Sequence, residues 1–237
     1  MLKIDQLLEQ LQKKSIPSKK EWWENYLRHE IDFLGVPMAV IRDTVVNQFY
    51  HEKKVLEVSE ELFKVPIAEA KLAAILLLEN EVHHLQGSDV VKSLTRVFEH
   101  EYIYDWNTCD WLCMKVLSKL IQRDQEYVIN GLIQWINEPN LWQRRASLVA
   151  FVSLPHLEDY DEYTFELAEI LIKSPERFSK TAVGWFLRER SKTNTDIVKA
   201  FLHKNADYLT TEVINNSMKY LDSEEKTAFK RVWKDKT

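Results

Sequence analysis

The sequence predicts an all-α protein, a solenoid of stacked antiparallel helix pairs with a concave binding face. Three observations carry this. Apolar residues recur at three- and four-residue steps rather than two, the period of an amphipathic helix. Only 4 glycines and 6 prolines occur in 237 residues, too few for the tight turns of a β-rich chain. Apolar-rich segments also restart near Ala68, Trp106, Trp142, Ser179 and Thr211. Two-helix units recurring at about 32 to 38 residues stack into solenoids, because no unit buries its apolar face alone.

The elements follow in order. Ile4, Leu7, Leu8 and Leu11 form a first apolar stripe, and Trp22, Trp23, Tyr26, Leu27 and Ile31 a second. Pro37 opens a helix through Val40, Ile41, Val45, Val46 and Phe49, since proline is tolerated where the first amide has no helical acceptor. Pro66 opens the next, Ala68 to about Val82, apolar nearly all round and therefore buried on most faces. Gly87-Ser88-Asp89 closes a loop, with Ser88 as the expected cap. Asn107 or Thr108 is expected to cap a helix reaching about Gln122. Amphipathic helices follow over Glu126–Ile136 and Tyr163–Ile172. Asn140, Ser179 and Thr211 precede or begin the later helices. No stretch reads as an interdomain linker, so 1–237 is expected to be a single domain.

Composition excludes several function classes. No apolar run reaches the roughly 18 residues of a membrane span, and the charged opening Met1-Leu-Lys-Ile-Asp-Gln does not read as a signal peptide. Cys109 and Cys113 lie four apart on a helix and suit reduced, packed thiols of a cytoplasmic protein. The 7 histidines show no ligand spacing, and no metal site is expected. Gly-rich phosphate loops, GxSxG elbows and HExxH motifs are absent from the sequence. The net charge is -5, unhelpful for nucleic acid, whose phosphates supply much of the affinity. Between Glu176 and Lys204, however, seven basic residues face three acidic ones, a local excess of +4.

Of 8 tryptophans, Trp22, Trp23, Trp111 and Trp135 fit a core role. Three others sit beside ionisable or small residues. Trp106 and Asp110 are four apart and share a helix face. Trp142 precedes Arg145 by three residues. Gly184-Trp185 lies among Lys180, Arg188 and Arg190. Spacing alone leaves two readings open: an ion pair of Asp110 with Arg145 tying adjacent repeats beside packed indoles, or a functional set.

Four motifs add to this. Tyr26-Leu-Arg-His-Glu-Ile-Asp-Phe-Leu-Gly35-Val36, followed by Arg42, resembles Y-x6-F-L-G-[IV] and a basic residue. Trp106 to Asp110 resembles W-x-x-x-D, Trp142-Gln-Arg-Arg145-Ala146 resembles W-x-x-R-A, and Ala182-Val-Gly-Trp185-Phe-Leu-Arg188-Glu189 resembles A-[IV]-G-W-x-L-R-E. In this order they resemble the DNA alkylation repair family of HEAT-like repeat proteins, AlkD-like alkylpurine DNA glycosylases especially. That resemblance implies a right-handed solenoid of HEAT-like repeats. It also implies excision of N3- or N7-alkylated purines from DNA, with no metal or organic cofactor. Trp106 and Trp185 would flank the lesion's deoxyribose, Asp110 would be the catalytic carboxylate, Arg145 would hold a phosphate and Tyr26 would line the cleft. Lys180, Arg188 and Arg190 would supply further DNA contacts. Asp105 and Asn107 depart from the family's pattern, and the extra carboxylate at Asp105 is expected to repel phosphate or perturb Asp110. Relatives in the family that keep the fold bind branched or distorted DNA without excision. A protein-binding scaffold is the third reading. A cytoplasmic monomer is expected, with DNA, alkylated duplex or branched, as its partner and no membrane contact.

Overall fold

The computed structural model describes residues 2–234, with the backbone alone for Leu2, Val232 and Lys234. Met1, where the charged opening segment begins, and residues 235–237 lie outside them. The described residues are helical without a strand; a lone parallel bridge joins Asp32 and Ile67. No described helix is long and apolar enough to cross a membrane. The chain divides into two compact units, 1–128 and 129–237.

The first unit begins with α1 (Leu2–Gln12), α2 (Pro17–Tyr26), α3 (Met38–Gln48), α4 (Val55–Lys64), α5 (Ala68–Glu81) and α6 (Gly87–Glu99). It continues through α7 (Trp106–Leu112), one π turn (Cys113–Leu117) and α8 (Ser118–Arg123) without a break. One row of helices packs α1 on α3, α3 on α5 and α5 on α7, while α4 packs on both α5 and α6. The all-apolar segment is α5, buried from Ala68 to Leu78, as its composition predicts. Helix α9 (Gln125–Trp135) carries the chain past the boundary. In the second unit, α10 (Leu141–Val149) packs on α12 (Arg177–Arg190), and α12 on α14 (Thr211–Ser217). Helices α11 (Asp161–Leu171) and α13 (Thr195–Lys204) pack against that row, and α15 (Ser223–Lys234) ends the chain. Each unit is thus a stack of helix pairs. The recurring helices start at Ala68, Trp106, Leu141, Arg177 and Thr211, within two residues of the expected positions.

The caps show where local chemistry overrides expectation. Asn140 caps α10 as expected, its side chain accepting from the Trp142 and Gln143 amides at 2.8 and 3.1 Å. Helix α14 begins at Thr211 as expected, and Thr210 caps it, its hydroxyl accepting from the Val213 amide. Ser88 does not cap α6: the helix starts at Gly87, whose amide donates to Asp124 Oδ2 at 2.9 Å. A distant carboxylate on the neighbouring turn replaces the local hydroxyl. Neither Asn107 nor Thr108 caps α7. Both are buried in its first turn, and Asp105 takes the cap, its Oδ1 accepting from the Thr108 amide at 2.8 Å.

Gly35 fixes the approach of α2 to the loop before α3. Its φ is +79°, and a Cβ there would lie 2.5 Å from the Lys20 nitrogen and 2.6 Å from the Ile16 oxygen. Both partners are backbone and cannot swing aside. Buried Glu69 locks the same loop, accepting from the amides of Leu34, Gly35 and Val36 at 2.8, 2.8 and 3.1 Å. Gly35→Ala is expected to lower unfolding free energy by about 2 kcal/mol or more, combining a strained left-handed backbone with a steric clash. Urea unfolding measures it; a loss within about 0.5 kcal/mol, the scale of an ordinary surface change, would refute this role.

Candidate nucleic-acid interface

In the first unit the site begins with Asp105. This carboxylate is fully buried at the cap of α7, so it presents no charge to a phosphate. Burial pushes its carboxyl up from the ordinary aspartate range, against the opposing pull of Thr108 and Lys71. The expected repulsion is therefore replaced by a structural role. Asp105 sets the phase of the helix that carries Trp106 and Asp110.

Trp106 is half-buried against Leu27, Ile31, Phe33 and Ala68. One turn on, Asp110 is 8% exposed. Tyr26 meets the Trp106 ring edge-on at 5.7 Å and is itself 54% exposed. Trp22 stacks on Tyr26 at 5.1 Å with 11° between the planes. Trp22 is 56% exposed, which corrects its assignment to the core: α2 has no buried residue, and the indole covers Tyr26 instead. Trp23 and Trp111 are half-buried and only Trp135 of that group is fully buried. The first unit thus carries a run of aromatic faces, Trp22, Tyr26 and Trp106, leading to a carboxylate.

Lys71, which sequence reasoning missed, lies beneath. It is 1% exposed on α5, donates to the carbonyls of Phe63 and Tyr102 at 2.6 and 2.5 Å, and sits 4.8 Å from the Tyr104 ring centre. Burial pulls its ammonium down to about 8, with Asp105 opposing. A lysine inside an otherwise apolar helical run is the signal that marked it.

In the second unit Trp185 is half-buried on α12, with the Arg188 guanidinium 5.8 Å from its ring centre. Arg188 donates to Glu189 Oε1 at 2.8 Å, and Lys180 to the Tyr208 carbonyl at 2.5 Å. Arg145, expected to present its fork to a phosphate, is 4% exposed. Its Nη1 donates to the Phe178 carbonyl and the Thr181 hydroxyl at 2.8 and 3.2 Å, which ties α10 to the first turn of α12. Arg190 does not present itself to DNA. It is 5% exposed and grips Asp161 with two bonds of 2.7 Å.

The +4 stretch is accordingly not a free basic stripe. Arg177 pairs with Glu212, Lys192 with Glu189, Lys199 with Asp196 and Glu225, and Lys204 with Glu169. Arg190→Ala is expected to destabilise the fold by about 2 kcal/mol, because it strands the partly buried Asp161 carboxylate. The salt dependence of DNA binding should not change. A thermal melt and a salt titration measure the two, and a reduced salt slope would restore Arg190 to the interface.

The family model of DNA alkylation repair enzymes matches residues 7–221. The chain belongs to that family. Solved structures share its fold. One is described as a predicted DNA alkylation repair enzyme from Enterococcus faecalis, 19% identical, with a TM-score of 0.75, covering 89% of this chain and 98% of that one. Another is AlkD2 from Streptococcus mutans, 15% identical, with a TM-score of 0.59, covering 86% and 100%. No curated protein sequence matches the chain significantly. Membership in this family supports a role in DNA alkylation repair, with DNA as the partner.

Proposed function

We propose that the protein removes N3- or N7-alkylated purines from DNA by hydrolysing the N-glycosidic bond. The observation that supports this most is Asp110 one turn from Trp106 on α7, beside the exposed Tyr26, in a chain matched by the family model over 7–221. An alkylated purine carries positive charge and leaves with the C1′–N bonding pair as a neutral base. The sugar left behind is oxocarbenium-like. Asp110 stabilises that charge and orients the water that attacks C1′, whose proton passes to the carboxylate or to solvent. Because the leaving group is already activated, the step calls for no metal or organic cofactor. The indole faces of Trp106 and Trp185 favour a cationic neighbour by roughly 0.5–2 kcal/mol each. Arg188 and Lys180 contact phosphates, which fixes register without reading sequence. Arg145 acts as a positioning residue for α12, the helix of Trp185.

The test is release of 7-methylguanine or 3-methyladenine from methylated duplex DNA, followed by chromatography. No release at micromolar protein over hours removes the proposal. Binding to a four-way junction without release would move the protein to the reading of a DNA-structure binder, which its net charge of -5 favours over tight duplex binding. A scaffold would show neither.

A further inference from the structure

The π turn in the helix of Trp106 has a consequence for charge. The Ser118 amide donates to the Cys113 carbonyl, five residues back instead of four, which adds one residue to the turn. In an unbroken α-helix Asp110 and Lys115 would point about 140° apart, at about 100° per residue. The extra residue of the π turn narrows that angle. Lys115 lies within the turn and Lys119 on α8 just past it, both on the continuous helix that carries Trp106 and Asp110.

The cations gather about one acid. Glu79 of α5 accepts from Lys119 at 3.0 Å, and Lys115 lies 3.7 Å from the same oxygen. Arg42 of α3 reaches the other carboxylate oxygen at 3.3 Å. Glu79 is 10% exposed at its side chain, whereas Arg42, Lys115 and Lys119 are 40%, 34% and 37% exposed. The acid is sunk beneath three half-exposed cations, and the group keeps an excess of two positive charges. Lys115 also lies 5.5 Å from the ring centre of Trp111, which fixes its stem. The second unit shows the contrary arrangement, in which Arg177, Arg190, Lys192, Lys199 and Lys204 are each taken up by an acid.

We infer that Arg42, Lys115 and Lys119, grouped about Glu79, are a docking site for a backbone phosphodiester of DNA. This rests on the proposed function for the identity of its ligand. Glu79 holds the three side chains converged, so little rotamer freedom is lost when the phosphate arrives. Asp110 and Lys119 are nine residues apart, roughly 13 Å along a helix. That is about four steps of one DNA strand, so the cluster engages a nucleotide other than the one over Asp110. It supplies register in the unit that carries the proposed carboxylate.

The test is anisotropy of a labelled, undamaged DNA duplex titrated with the full chain between about 50 and 200 mM salt. Lys115→Gln combined with Lys119→Gln should reduce the magnitude of the log–log salt slope by about 1 to 2. Glu79→Gln, which keeps an acceptor oxygen for the converged side chains and raises the cluster's charge by one, should bind several-fold tighter, a gain that misfolding cannot imitate. An unchanged slope in the double variant, or no tightening in Glu79→Gln, overturns the site. A wild-type protein that fails to bind duplex DNA overturns it together with excision from duplex. Slopes that change as expected while no base is released leave the site standing and remove only excision.

Discussion

Asp110→Asn is expected to slow release of alkylated purines by about 100-fold or more, the scale on which a preorganised charge acts at a transition state. Binding of undamaged duplex should not weaken, because the substitution keeps shape and removes one negative charge. The contrast between the two readouts is the substance of the prediction. Asparagine cannot stabilise an oxocarbenium-like sugar as a carboxylate can. Trp106→Ala and Trp185→Ala should each reduce release less, in keeping with the smaller indole–cation energy. Single-turnover release on methylated DNA measures all three. Full activity in Asp110→Asn would reduce this residue to a packing role and leave the ionic reading of its neighbourhood as the better one.

Much of the fold was legible because it depends on periodicity. The starts of α5, α7, α10, α12 and α14 fall within two residues of the positions read from apolar spacing. Helix α4 went unread although Val55, Ser59, Leu62 and Phe63 line its buried face; the serine breaks the apolar stripe that would have announced it. The π turn was illegible because nothing in Cys113–Leu117 distinguishes it from an ordinary turn. Its effect reaches beyond the turn, rotating the residues that follow it relative to Asp110.

The site divides in the same way. Motifs singled out Trp106, Asp110 and Trp185 as candidates, since residue type and spacing are local properties. Whether a cation is available depends on what faces it across helices. Arg190 and Arg145 look alike in sequence to Arg42, yet the first two are buried and the last is half-exposed. Lys71 and Asp105 show the converse. Both are charged and buried where α5 packs against α7, a burial that only the apolar run around Lys71 signals in the sequence.

That buried pair carries the largest stability effect. Asp105→Ala is expected to cost about 3 kcal/mol of unfolding free energy. Losing the cap of α7 accounts for about 1 kcal/mol. The remainder comes from Lys71, left as a buried cation without the carboxylate that opposes its burial. Asp105→Asn keeps a capping oxygen but not the charge, and should cost about 2 kcal/mol, the Lys71 share alone. The pH dependence separates the two contributions. Burial lowers the Lys71 ammonium to about 8, so above that pH the folded state has released a proton that the unfolded chain keeps to about 10.5. Stability from this group therefore rises with pH over that window. Tyr104, raised from its ordinary value of 10.0 by burial first and by Asp105 second, works against the rise above about 10, since there the folded state holds the extra proton. For Asp105, raised by burial, stability falls as pH rises from the ordinary aspartate value of 3.8 toward its folded value, a fall that Asp105→Asn removes. In Asp105→Ala the Lys71 ammonium titrates lower still, so the alkaline recovery begins at lower pH than in the wild type. Urea unfolding across this range measures the shift. A recovery at the same pH in both proteins would show that Asp105 and Lys71 do not sense each other, and would leave only the loss of the cap.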